Sequence, residues 1–156
     1  MIRAFILTAA LGLFASCFST KSISQSEQGE KQDTLLVLRQ TACFGTCPIY
    51  TFTILKNGDA TYYGIEHVAH VGKFAGKVSD SDLDQIEKLT KELKIKEMKN
   101  EYTGYATDLP STYLTYYFED QTKKIYAYQN IPDNFIQYVN FLKSLSESTE
   151  WKPFED

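Results

Sequence analysis

From Thr34 onward, apolar and polar positions alternate with period two, the pattern of strands that turn one face to a core. "TLLVLRQ" over residues 34–40 predicts one strand. "IYTFTILKNGDATYYGI" over 49–65 predicts two more, joined at Asn57-Gly58, the strongest short-range hairpin signal a sequence offers. "EHVAHVGKFAGKVS" over 66–79 continues as a weaker extended segment, with Gly72 and Gly76 expected at bulges or bends. The period then changes. Ser79 and Asp82 read as a capping box, and Leu83, Ile86, Leu89 and Leu93 recur at helical spacing as one apolar stripe. "STYLTYYFED" and "KKIYAYQN" predict a second strand pair around a polar turn near residues 120–123. Pro132 then opens a second helix with a stripe of Phe135, Val139, Leu142 and Leu145.

Strand runs joined by hairpins and separated by single helices predict an α+β domain over residues 34–156. Its mostly antiparallel sheet has about five to six strands, with two amphipathic helices on one face. The other sheet face is then open. Alternation puts one of Tyr62 and Tyr63 on it, and one of Tyr116 and Tyr117, while Tyr126 and Tyr128 share a side. With 11 Tyr and 10 Phe in 156 residues, some aromatics reach the surface, and a tyrosine-lined face suits a protein or small-ligand partner. Trp151 and Phe154, beyond the second helix, carry no pattern that assigns them to the core or to solvent.

The N-terminus changes the picture by fixing a compartment. "MIRAFILTAALGLFASC" has Arg3, an apolar run from Ala4 to Phe14, then Ala15 and Ser16 before Cys17. The run is too short for a membrane span, which needs about 20 apolar residues, and reads as an export signal over 1–16. Its "FASC" ending resembles a bacterial lipoprotein signal, in which the cysteine, here Cys17, is lipidated and becomes the new N-terminus. "FSTKSISQSEQGEKQD" is nearly devoid of apolar residues, so residues 17–33 are expected to form a flexible tether holding the domain at a membrane. The absence of an acidic cluster after Cys17 favours a periplasmic face.

Charge narrows the partners. The chain carries 16 basic and 20 acidic side chains, and removal of residues 1–16 takes one basic side chain, Arg3. A mildly acidic body without a basic stripe does not fit nucleic acid.

The candidate chemistry is "TACFGTCPIYTF", residues 41–52. Outside the cytoplasm a nearby pair such as Cys43 and Cys47 is expected to form a disulfide. In that reading Gly45 supplies freedom for a tight loop and Pro48 sets the exit into the strand from Ile49. A redox dithiol is the second reading. It favours a helix N-terminus after the motif, whereas the residues after Cys47 alternate like a strand. The third is copper, because "CFGTCP" matches the CxxxCP motif of SCO-type copper chaperones. There a histidine completes the site, here His67 or His70; lying three apart in an extended segment, these two point to opposite faces.

A longer resemblance covers residues 34–146. "LRQTACFGTCPIYTFTILKNGDATYYG", "GKFAGKVS" before an amphipathic helix, and "YTGYATDLPSTYLTYYF" resemble an exported bacterial family known as domain of unknown function 6438. The family pattern maps onto Arg39, Cys43, Gly45, Cys47, Pro48, Tyr50, Gly58, Gly72, Asp108 and Pro110. The resemblance implies the fold and the exported location, and it marks Arg39, Gly45, Pro48, Tyr50 and Asp108 as a functional patch. It also suggests that Arg39 and Asp108 meet as an ion pair near the disulfide.

No nucleophile motif, glycine-rich phosphate loop or zinc spacing is present, and no cofactor or metal is expected. Asp80, Asp82 and Asp84 read as a solvated helix start. The expectation is a periplasmic, lipid-tethered binding or interaction module rather than an enzyme, stapled by Cys43–Cys47. The alternative is a thiol-based copper or redox protein.

Overall fold

The computed structural model describes residues 33–154. The expected export signal, Cys17 and residues 18–32 of the expected tether lie outside the described residues. In chain order the elements are β1 (Thr34–Gln40), β2 (Ile49–Leu55), β3 (Asp59–Glu66), β4 (Gly72–Lys77), α1 (Asp80–Glu92) and a short 3-10 turn (Ile95–Glu97). Then come β5 (Glu101–Tyr102), β6 (Thr112–Tyr117), β7 (Thr122–Ala127), α2 (Asp133–Ser148) and β8 (Lys152–Pro153).

The strands form one sheet in the order β5-β7-β6-β1-β2-β3-β4-β8. Every neighbouring pair is antiparallel except β5 with β7. The α+β architecture is as the sequence predicts, but the sheet has eight strands rather than five or six. The extra ones, β5 and β8, are two-residue edge strands, too short to carry a period.

One face is the core. Leu36, Leu38, Phe52, Ile54, Leu114 and Ile125 are fully buried on it. Ile86 of α1 and Phe135, Tyr138, Leu142 and Leu145 of α2 close the same core from above, so both helices cover one side. A buried hydrogen bond of 2.9 Å between the Thr90 and Tyr138 hydroxyls ties the helices together. Ser79 caps α1 as expected, its hydroxyl accepting from the Asp82 N–H at 3.2 Å. Pro132 stands one position earlier than expected, at the N-cap of α2, and the Asn134 carbonyl takes up the Phe135 N–H instead.

The Asn57-Gly58 hairpin forms with a three-residue connection in which only Gly58 is left-handed, at φ 86°. A Cβ there would also lie 2.8 Å from the Val78 carbonyl oxygen, which fixes the hairpin against the start of α1. Gly76 sits in regular register opposite Ala60, not at a bulge. Its missing Cβ leaves room for Trp151, whose ring would otherwise be 2.8 Å away. Trp151 thus folds back onto the core, edge-on to Phe52, with its indole N–H donating to Ser146 O at 2.9 Å. The segment 66–79 is split as well: β3 ends at Glu66, and both His67 and His70 lie in the connection to β4 rather than in a strand.

Burial pushes the phenol groups of Tyr50, Tyr62, Tyr116 and Tyr138 above their usual 10, Tyr62 to about 12. The stability these four contribute is complete below pH 10 and is lost as pH rises, because the unfolded chain then releases protons the folded one retains. Lys143, lowered by burial, acts with the opposite sign, as one group against four. The urea midpoint is therefore expected to decline from about pH 10 upward. A midpoint that stays flat to about pH 12 would contradict the tyrosine placement.

Candidate functional site

The site starts from the pairing of β1 with β6, which sets Gln40 opposite Thr112 and Arg39 opposite Tyr113. Two loops leave this end of the sheet side by side. One is the 41–48 connection between β1 and β2; the other, 103–111, leads into β6. Thr41 N–H donates to Ser111 O at 3.1 Å, Ser111 N–H donates to the Thr41 hydroxyl at 3.0 Å, and Phe44 N–H donates to Asp108 O at 3.2 Å. The second loop is held from behind: Gln129 Oε1 accepts the Ala106 N–H, and the Tyr128 hydroxyl donates to Gly104 O at 2.5 Å.

Cys43 and Cys47 are joined by a disulfide, with Cα atoms 5.7 Å apart. The bond closes the first loop where its cross-loop hydrogen bonds begin. Gly45 donates its N–H to Cys43 Sγ at 3.3 Å and is not left-handed. A Cβ on it would meet only Cys43 Sγ, at an ordinary 3.9 Å. The backbone freedom expected of Gly45 is therefore not used. The loop pair carries two side chains in essentially full contact with solvent, Phe44 at 95% and Tyr105 at 102% exposure, and Leu109 of the second loop is also exposed.

Directly beneath the loops, one row of side chains crosses the open face in register: Tyr126, Tyr113, Arg39, Thr51, Tyr63 and Lys73. The Tyr113 and Tyr126 rings stack at 4.7 Å, and Tyr128 leans on Tyr126 at 5.6 Å. The Arg39 guanidinium lies 4.2 Å from the Tyr113 ring centroid. Tyr63 and Tyr117 point outward while Tyr62 and Tyr116 are core residues, so each adjacent pair divides as strand alternation requires.

The expected patch is divided by the sheet. Arg39, Gly45, Pro48 and Asp108 lie on the open side or in the loops, whereas Tyr50 is buried, stacked on Tyr62 at 5.1 Å. Asp108 meets the disulfide loop through its backbone oxygen. Among the described residues, Arg39 makes no ion pair with it, nor with any other carboxylate, and its partner is the Tyr113 ring. Among the described residues no group of three or more His, Cys, Asp or Glu side chains is placed to share a metal ion. Tyr113 and Tyr105 were missing from the sequence-derived patch. The parity of Tyr113 with Arg39 across two strands needs the register of β1 on β6, and no local signal carries it.

A larger groove of about 730 Å³ lies between the start of α1 and the β6–β7 turn, at the opposite end of β6 from the loop pair. Its rim holds the ion pair of Lys96 with Asp120 at 2.7 Å, and the hydrogen bond from Lys96 keeps the Asp120 carboxyl below its usual range. The groove is open and of mixed charge.

These features define a two-layer α+β fold, open on one sheet face, with a disulfide loop at one edge of that face. The family model for domain of unknown function 6438 matches residues 34–146, and the chain belongs to that family. No curated protein matches the chain.

Removing the disulfide as Cys43→Ser with Cys47→Ser is expected to cost about 2 kcal/mol by urea unfolding, the chain-entropy value for so short a loop. Gly45→Ala is expected to stay within about 0.5 kcal/mol of the parent. A loss of several kcal/mol from Gly45→Ala would mean that the loop demands a conformation absent from this geometry.

Proposed function

We propose that this chain is an exported, lipid-tethered module facing the periplasm that binds a protein partner through the loop pair and the adjoining open sheet face. The observation that carries the reading is the near-complete exposure of Phe44 and Tyr105 on loops held by a disulfide and by cross-loop hydrogen bonds. Large apolar side chains kept in water contribute nothing to the fold. Held on braced backbone, they lose little conformational freedom when a partner covers them, which is the economy of an interface anchor. The stacked tyrosines and Arg39 beside them are the residue types that dominate interface centres. The lipid tether draws its support from the apolar run ending at Phe14 and the small residues before Cys17.

A photo-crosslinking residue at position 44 or 105 is expected to give a discrete adduct in cells, and one at the exposed helix position Gln137 is expected to give none. Equal labelling at all three positions would remove the binding surface. The anchor has its own readout: intact-mass measurement of protein extracted from membranes is expected to give a chain starting at an acylated Cys17. A soluble species cut elsewhere would remove the tether while leaving the binding surface to stand on its own test.

A further inference from the structure

The two layers carry opposite charge. On the open sheet face the outward positions include Arg39, Lys73, Lys77, Lys124 and Lys152. The acidic groups there are Asp59, which pairs with Lys77 at 3.6 Å, Glu66 opposite the outward Ile49, and Glu101 on the edge strand β5. Every other surface of residues 33–154 shares eight basic against thirteen acidic side chains. A chain that is net negative thus presents one positive face, and it is the face no helix covers.

The positive groups are ordered on that face. The four lysines lie on the flanking strands β4, β7 and β8, and the arginine lies on the central strand β1. Arg39 is the better placed for recognition. Its guanidinium is fixed over the Tyr113 ring, which is itself stacked on Tyr126. Among the described residues none takes its N–H groups in a hydrogen bond or an ion pair, so the planar fork is both oriented and free. A fork of that kind matches a carboxylate with two parallel hydrogen bonds. The neighbours of Arg39 across the sheet, Thr51 and Val37's partners Thr53 and Thr115, are short, so an incoming chain can reach the fork without displacing bulk.

Resting on the binding reading above, we propose that the partner is a protein presenting an aspartate- or glutamate-rich segment, and that Arg39 is the residue that reads its carboxylates. An arginine and tyrosine centre with a lysine rim has the composition of a protein interface. A second copy of this chain is disfavoured as occupant, because two such faces would bring like charge together. The four rim lysines steer an acidic segment toward the face, and Arg39 fixes its register.

The test is a titration of hexaglutamate peptide into the isotopically labelled, disulfide-bonded full chain, followed by amide chemical shifts. Shifts are expected at Arg39, Thr51, Tyr63, Tyr113 and Tyr126 and not along α1 or α2. Arg39→Lys, which keeps the charge but loses the fork and the ring stacking, is expected to weaken binding by about tenfold. Hexalysine is expected to move none of these resonances. The proposal is overturned by any of four results: no shifts, shifts centred on the helices, unchanged affinity in Arg39→Lys, or stronger association with phosphatidylglycerol vesicles than with the peptide. Concentration-dependent broadening of the same resonances without peptide would assign the face to a second copy and likewise overturn it. Failure here with crosslinking intact at positions 44 and 105 would remove only the acidic partner. Failure of both would remove the binding surface itself.

Discussion

The antiparallel pairing of β1 with β6 is the contact on which the rest of the molecule depends. It joins positions more than seventy residues apart, Gln40 with Thr112, and closes a sheet that would otherwise be two separate meanders. The same pairing brings the loop after β1 against the loop before β6. Each loop alone would be a surface excursion with unsatisfied backbone groups. Together they take up the N–H groups of Thr41, Phe44 and Ser111, and the Cys43–Cys47 disulfide shortens the freedom of the first loop further. The pairing also places Tyr113 under Arg39. The loop apex and the arginine therefore follow from one strand register.

With both helices on one side, the chain leaves a whole sheet face in water. That face is not a second core awaiting a layer. Its outward positions are rich in threonine and basic residues, with apolar side chains such as Val37 between them, whereas the inward positions are mostly leucine, isoleucine and phenylalanine, with Tyr50, Tyr62 and Tyr116 buried among them. The difference in composition between the two faces is what makes the open one wettable and still suited to a polar, acidic partner. The edges are handled in a compatible way. β8 covers the middle of β4 and contains Pro153, and the free part of β7 carries Lys123 and Lys124. Short strands, proline and lysine are the means by which a sheet avoids extending into a neighbour.

Much of this was legible in the sequence, for reasons visible in particular residues. Period-two alternation gives the parity of every long strand, so the division of Tyr62 from Tyr63 and of Tyr116 from Tyr117 could be read directly. The helical stripes were legible because Ile86 and the run from Phe135 to Leu145 lie at spacings only a helix brings together. The same parity places Tyr50 with Phe52 and Ile54 in the core, yet it was grouped with Arg39 because a shared motif says which residues go together in sequence and not which side they face. What stayed hidden was set by long-range contacts. The strands β5 and β8 are too short for any period. Gly76 reads as a bulge until Trp151 arrives from seventy-five residues away to fill its missing Cβ. The pairing that puts Arg39 on Tyr113 instead of Asp108 depends on the β1–β6 register, for which the sequence holds parity but not alignment.

The bracing of the cross-loop hydrogen bonds by the disulfide within the first loop is the point on which the candidate site rests most heavily, and amide hydrogen exchange measures it directly. Reduction of Cys43–Cys47 is expected to speed exchange at Phe44 and, together with it, at Thr41 and Ser111, while amides in β2 and β6 stay protected. If Thr41 and Ser111 exchange at the same rate before and after reduction, the loops are independent. The disulfide would then brace nothing beyond its own short turn.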